Sequence, residues 1–189
     1  LKVAWRDAHP ATQSFWRNLE AAATRAVEWP GQVFQVVGAA GQIRFVVKHG
    51  FLWMVLPSGR ALAYPQPKIE PTMKPWGDVT PSVTFWGVNS MTKRWEKQVG
   101  YGGLWCENAV QATARDVMAA AMLRLETKGY RVVLTVHDEI VNETPIGRGS
   151  VGEVEQIMCV LPPWATGLPI AASGWAGQRS RQSGKRNGG

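Results

Sequence analysis

Apolar residues recur every three or four positions in two long stretches and alternate with polar ones in several shorter runs, and this periodicity lays out the elements. Over 10–27, PATQSFWRNLEAAATRAV, the residues Phe15, Trp16, Leu19, Ala22, Ala23, Ala26 and Val27 share one side of a predicted helix. Pro10 suits its first turn, and Trp29, Pro30 and Gly31 end it. Residues 33–65 read as a β-meander with strands at 42–48, 51–56 and 60–64, separated by His49-Gly50 and Pro57-Ser58-Gly59. The next segment, PQPKIEPTMKPWGDVTP over 65–81, is too rich in proline for regular structure and predicts a loop or extended crossing. VTFWGV, 83–88, is expected to be an edge strand. A second helix is predicted over 105–128, with Val110, Ala114, Val117, Met118, Ala121, Met122 and Leu125 on its apolar face and Gly129 closing it.

Two β-rich runs follow in RVVLTVHDEIVNET, 131–144. Val132, Val133, Leu134 and Val136 form a nearly continuous apolar run, as in a strand buried on both faces, and Ile140 and Val141 resume it after an acidic step. Strand, tight turn, strand is the expected local structure. Ser150 and Glu153 fit a capping box that opens a short helix with Val154, Ile157, Met158 and Leu161 inward, stopped by Pro162 and Pro163. LPIAASGWAG, 168–177, predicts a last short strand ending near Trp175. The fold class is therefore α+β: an antiparallel sheet with packed helices, preceded by a helix and a β-meander. The expected divisions are 1–36 helical, 37–100 meander and connecting loop, and 101–177 helix, hairpin and closing helix with strand. The Gly/Ser-rich basic tail, 178–189, is expected to be disordered.

Charge narrows the class of partner. Lys and Arg number 21 against 14 Asp and Glu, a formal net charge of +7 that favours a polyanion. Part of that excess lies in the tail at Arg179, Arg181, Lys185 and Arg186, and Lys93, Arg94 and Lys97 form an internal basic cluster. The two cysteines, Cys106 and Cys159, fit neither a disulfide framework nor a zinc spacing, which points to a reducing, cytoplasmic setting. With no run of 18 apolar residues and no signal-like start, a membrane or export role is not expected. The first residue is Leu rather than Met, as in an excised piece.

The corner His137-Asp138-Glu139 is the one place where the pattern itself points to chemistry. A turn projecting two carboxylates and an imidazole from a sheet end can serve a divalent cation, because hard cations such as Mg2+ take carboxylate oxygens and keep waters for substrate. The plainer reading is that Asp is simply common in turns. Glu107, Gln111 and Arg115, spaced four apart, share a polar face of the second helix, either as a solvated stripe or against a ligand held beside it.

Taken together, YGGLWCENAVQATARDVMAAAMLRLETKGY and RVVLTVHDEIVNETP resemble the C-terminal palm region of family A DNA polymerases, in particular phage and prophage members of the DNA polymerase I type. HPATQSFWRNLEAAATRAV, LPSGRALAYPQPKI, FWGVNSMTKRWE and LPPWATGLPIAASGW are similar to other stretches of that subgroup, so the likeness extends to about Gly177. The resemblance implies that 1–36 closes the fingers and 101–177 carries much of the palm, with the His-Asp-Glu triplet as the third palm motif. It implies Asp138 as a metal ligand and catalytic residue, Glu139 as a neighbouring acidic residue of lesser weight, and His137 as a contact to the primer end. Gln111 matches the family's minor-groove glutamine, and Arg115 joins the DNA-binding set. The family's asparagine four residues before that glutamine is replaced here by Glu107, while Asn108 stands three before it; either a register shift restores the contact or it is absent.

The implied activity is DNA-directed DNA synthesis by two Mg2+ ions, with primer-template DNA and deoxynucleoside triphosphates as partners of the complete protein. The first palm motif, with the other carboxylate, and the nucleotide-binding fingers helix would lie before Leu1, so the isolated chain is expected not to polymerise. Two other classes compete. One is a non-catalytic nucleic-acid-binding prophage remnant. The other is a small metal-dependent nuclease, which would need Glu143, Glu107 or Asp116 close to Asp138. Tryptophan-rich surfaces left uncovered would favour self-association.

Overall fold

The computed structural model describes residues 2–38, 41–73 and 77–177; the expected tail, 178–189, lies outside them. The chain is α+β with antiparallel sheets and packed helices, and it divides into two compact units, Leu1–Ala114 and Arg115–Gly189.

The first unit opens, within the region expected to be helical, with a short separate helix, α1 (Lys2–Ala8), followed by α2 (Pro10–Glu28), which has Pro in its first turn as expected. Leu19, Ala22, Ala23 and Ala26 bury one side of α2, and Phe15, Trp16 and Val27 are half-buried around them. β1 (Phe34–Gly38), β2 (Gly41–Lys48), β3 (Phe51–Val55) and β4 (Ala61–Pro65) form the meander as a four-stranded antiparallel sheet in chain order. His49 and Gly50 both have positive φ between the paired Lys48 and Phe51, the backbone that a tight hairpin with matched twist requires. Phe45, Leu52, Met54 and Leu56 meet the α2 alanines in one core, each large side chain contributing about 1.5–3 kcal/mol through burial.

The proline-rich segment departs from expectation. β5 (Lys68–Met73), β6 (Val79–Val88) and β7 (Trp95–Val99) form a three-stranded antiparallel sheet in that order, so 68–73 and 79–81 are strand rather than loop. Pro71 lies directly opposite Pro81. Two prolines can face each other without losing a ladder bond when their missing N–H groups point away from the pair. Pro71 is on the edge strand, and the pairing of β7 with β6 begins only at Thr84, so neither position has a neighbour that needs the donor. For the same reason 83–88 is not an edge strand but the middle of this sheet. Val83 and Phe85 turn inward to the core, beside Tyr64 and Trp105.

α3 (Gly102–Thr127) begins three residues earlier than predicted. Its N-terminus approaches α2 so closely that a Cβ on Gly102 would lie 2.5 Å from the Trp16 carbonyl oxygen, and the Gly102 N–H donates to Glu20 Oε2 at 3.0 Å. The expected apolar face is corrected. Val110 and Ala114 are exposed, and the buried positions are Trp105, Ala109, Val117, Ala121 and Leu125, at multiples of four. Small alanines blurred the phase of the stripe, because Ala is tolerated on either face.

The second unit contains the rest of α3, β8 (Arg131–Val136), β9 (Glu139–Glu143), α4 (Val151–Cys159) and a 3-10 turn at Pro163–Ala165. α3 ends in a Schellman arrangement. The Tyr130 N–H donates to the Leu125 carbonyl and the Gly129 N–H to that of Glu126, with Gly129 at φ +83° and Tyr130 and Leu125 both buried. The Ser150 side chain accepts from the Glu153 N–H at 3.2 Å, the first half of the predicted box. Glu153 does not return the bond to Ser150; the Tyr130 hydroxyl donates to its carboxylate and accepts from the Ser150 N–H at 3.2 Å. Val154, Ile157, Met158 and Leu161 are half-buried. The strand expected in 168–177 is absent: the backbone there is irregular, and the Gly174 N–H is held by Glu155 Oε1 at 2.7 Å.

Candidate functional site

β8 and β9 pair antiparallel through Val136 and Glu139, leaving His137 and Asp138 as a two-residue turn. This is the predicted strand, turn, strand. His137 takes φ +53°, a left-handed conformation usually left to glycine that costs a non-glycine residue roughly 1 kcal/mol. Val132 pairs with Asn142 and Leu134 with Val141, so Val133 is an inserted residue on β8. Such a bulge increases local twist and changes the direction of the residues beyond it. The Val132 N–H is anchored by Glu126 Oε1 at 2.6 Å, fixing the start of the strand to the end of α3.

The burial of this hairpin corrects the sequence reading. β8 is not covered on both faces: Val133, Leu134 and Val136 are exposed, and the sheet contains β8 and β9 alone. A continuous apolar run does specify a strand made to be covered, but the cover is absent among the described residues. His137, Asp138 and Glu139 are all solvent-exposed. Chain adjacency brings these three together, and the carboxylate oxygens of Asp138 and Glu139 are the hard donors that a divalent cation prefers. Among the described residues no group of three or more His, Cys, Asp or Glu could enclose a metal ion. The turn by itself therefore presents two exposed carboxylates, those of Asp138 and Glu139. Glu143 stands opposite Arg131 at the far end of the hairpin.

Asn108 and Gln111 belong to the first unit, and Arg115 opens the second. Asn108 Nδ2 donates to the Tyr64 hydroxyl at 3.0 Å, which turns it toward β4. Gln111 Nε2 donates to Glu107 Oε1 at 3.2 Å, an exposed pair one helical turn apart. Arg115 lies against Met118, Nη1 to Sδ 3.3 Å. The polar stripe predicted for Glu107, Gln111 and Arg115 is thus exposed.

Tyr64 was missed as a partner of this helix. Burial pushes its hydroxyl up to about 12, opposed by the Asn108 hydrogen bond. Only the meander fold brings the two together across 44 positions, so no local pattern could show it. The cluster at 93–97 is also redistributed. Lys97 Nζ contacts Glu70 Oε2 at 2.8 Å, while Lys93 and Arg94 remain in the β6–β7 turn. The Lys97 bond, with a second from the Thr84 hydroxyl, holds the Glu70 carboxyl below the usual range.

Cys106 and Cys159 are half-buried free thiols. No helix among the described residues is long and apolar enough to cross a membrane.

No family model matches the chain, and no solved structure matches it. A DNA polymerase of Bacillus phage SP02 is 40% identical over 175 residues, which is 93% of this chain. The chain spans about a quarter of that relative's length, 26%.

Proposed function

We propose that this chain is part of a phage-type DNA-directed DNA polymerase of family A, and that the β8–β9 turn is its third palm motif. The 40% identity over nearly the whole chain to a phage DNA polymerase carries the reading. The tight turn at His137-Asp138 on a strand pair supports it. Deoxynucleoside triphosphates and primer-template DNA are the substrates that this reading assigns to the complete protein.

In this role Asp138 holds catalytic Mg2+ through its carboxylate, and Glu139 adds negative charge beside it. Bound there, such ions would supply charge to activate the primer 3′ hydroxyl and to steady the leaving pyrophosphate. His137 is placed to meet the primer end. Gln111 addresses the minor groove through its exposed amide, for which the bond to Glu107 must open. Arg115 adds a phosphate contact from the same stripe. Asn108 is held by Tyr64, so its family role falls away unless that bond is exchanged. The second carboxylate comes from a strand outside these residues, laid beside the exposed β8. Alone, the chain does not polymerise. The nuclease reading has less support, since the described residues bring no further carboxylates into a group with Asp138.

The test is a chimera in which this chain replaces the matching quarter of the Bacillus phage SP02 enzyme. Primer extension is expected from the chimera and from Glu143→Gln. It should fall about 100-fold or more in Asp138→Ala. Full activity of Asp138→Ala refutes the metal role, and extension by the isolated chain refutes its inactivity.

A further inference from the structure

The outer face of the β5–β7 sheet combines aromatic and basic groups in a way that the hairpin site does not use. Side chains alternate between faces, so register sorts them. Val83 and Phe85 point into the core. The opposite face carries Ser82 and Thr84, both buried, and opens only toward the β6–β7 turn, where Trp86, Val88, Trp95 and Lys97 lie. Trp86 lies across from Lys97 and Val88 from Trp95, which makes the two indoles diagonal neighbours. Cβ atoms at that diagonal are about 7–8 Å apart, within reach of aromatic rings. Trp86 is half-buried, and Trp95 is 59% exposed.

Beyond Trp95 the strands join through an ordered turn. Asn89 Oδ1 accepts from the Met91 and Thr92 N–H groups at 2.8 and 3.1 Å, and the Asn89 N–H donates to the Arg94 carbonyl at 2.9 Å. This turn holds Lys93 and Arg94 out in solvent, and neither has an ion-pair partner among the described residues. Met91 at the tip is 89% exposed. The charged groups of the face and turn are Lys68, Lys93, Arg94 and Lys97 against Glu70, which Lys97 already engages; Glu96 lies on the opposite face, where its carboxylate accepts from Asn89 Nδ2. Positive charge is thus in excess beside the exposed Trp95 and the half-buried Trp86.

We propose that this face binds single-stranded nucleic acid, with Trp86 and Trp95 stacking on successive bases and Lys93, Arg94 and Lys68 following the phosphates. Stacking accepts any base, and a sheet face bearing separated indoles and peripheral cations suits an unpaired strand, whose bases are free to reach the rings. A duplex hides its base faces from such a surface. The proposal uses no residue of the His137-Asp138 turn and stands whether or not that turn binds metal.

Fluorescence anisotropy of a labelled thymidine oligomer of about 20 nucleotides, titrated with the full 189-residue chain, tests the proposal. Trp95→Ala should weaken binding about fivefold or more, and Trp95→Phe should retain most of the affinity. Lys93→Ala with Arg94→Ala should lower the slope of log affinity against log salt by about 1.4, and Lys93→Arg with Arg94→Lys should leave it unchanged. Unchanged melting temperatures will show that the exposed substitutions leave the fold intact. Wild-type affinity in both Trp95→Ala and the double alanine variant overturns the proposal. So does tighter binding of a duplex of the same length, or no binding by the unaltered chain.

Discussion

The Tyr64 hydroxyl is buried beneath Asn108, and its removal from water favours the neutral phenol in the folded state. An unfolded tyrosine ionises near pH 10, whereas the folded group waits until about 12. The stabilisation from this difference is complete below pH 10 and is lost as pH rises toward 12, amounting to about 3 kcal/mol. Urea unfolding at pH 8, 10 and 11.5 should therefore show a decline above pH 10 that is distinctly shallower in Tyr64→Phe. At pH 8 the same variant is expected to cost about 1 kcal/mol, because Asn108 loses its acceptor. Asn108 and Gln111 were legible in the sequence as polar positions on a helix. Their partners were not, since Tyr64 reaches Asn108 only through the sheet, and Glu107 could be a neighbour or a rival for any ligand.

Glycine at position 102 decides how α3 enters the first unit. Gly102→Ala places a methyl group against the Trp16 carbonyl and should cost about 1–3 kcal/mol by urea denaturation, as overpacking does. Ser150→Ala removes the cap of α4 and should cost about 1 kcal/mol, read as a loss of helical circular dichroism and of stability together. Elements with a strong local signal were legible: α2 by its period and proline, the meander by its turns, the hairpin by β-branched runs about a polar step. β5 was not, because Pro71 and Pro81 argue against a strand until their pairing shows that no donor is required there. The apolar face of α3 was misplaced by its alanines. The expected strand at 168–177 failed because apolar composition alone, with Pro169 and Gly174 inside it, offers no alternation to place on two faces.

Among the described residues, the strand that leads to Asp138 is one of the places where apolar side chains lack cover. Val133, Leu134 and Val136 are exposed on a two-stranded sheet, an arrangement that is marginal in water by itself. Sedimentation velocity should show concentration-dependent association of the isolated chain, reduced in a Val133→Thr and Leu134→Thr double variant. The division into two compact units was beyond the sequence, since its boundary after Ala114 falls inside a helix whose pattern runs on unbroken. Trp105 carries a different consequence. It is fully buried, its ring centroid lies 4.8 Å from Tyr64, 5.6 Å from Phe85 and 6.0 Å from Phe45, and its indole N–H has no hydrogen-bond partner among the described residues. An indole in such surroundings emits at the blue edge of the tryptophan band, whereas Trp5, Trp29, Trp95 and Trp175 are exposed and emit at its red edge. Among ten tryptophans Trp105 should therefore give a short-wavelength shoulder, an optical reporter built into the first unit that is expected to dim when that ring cluster opens, without any label being attached.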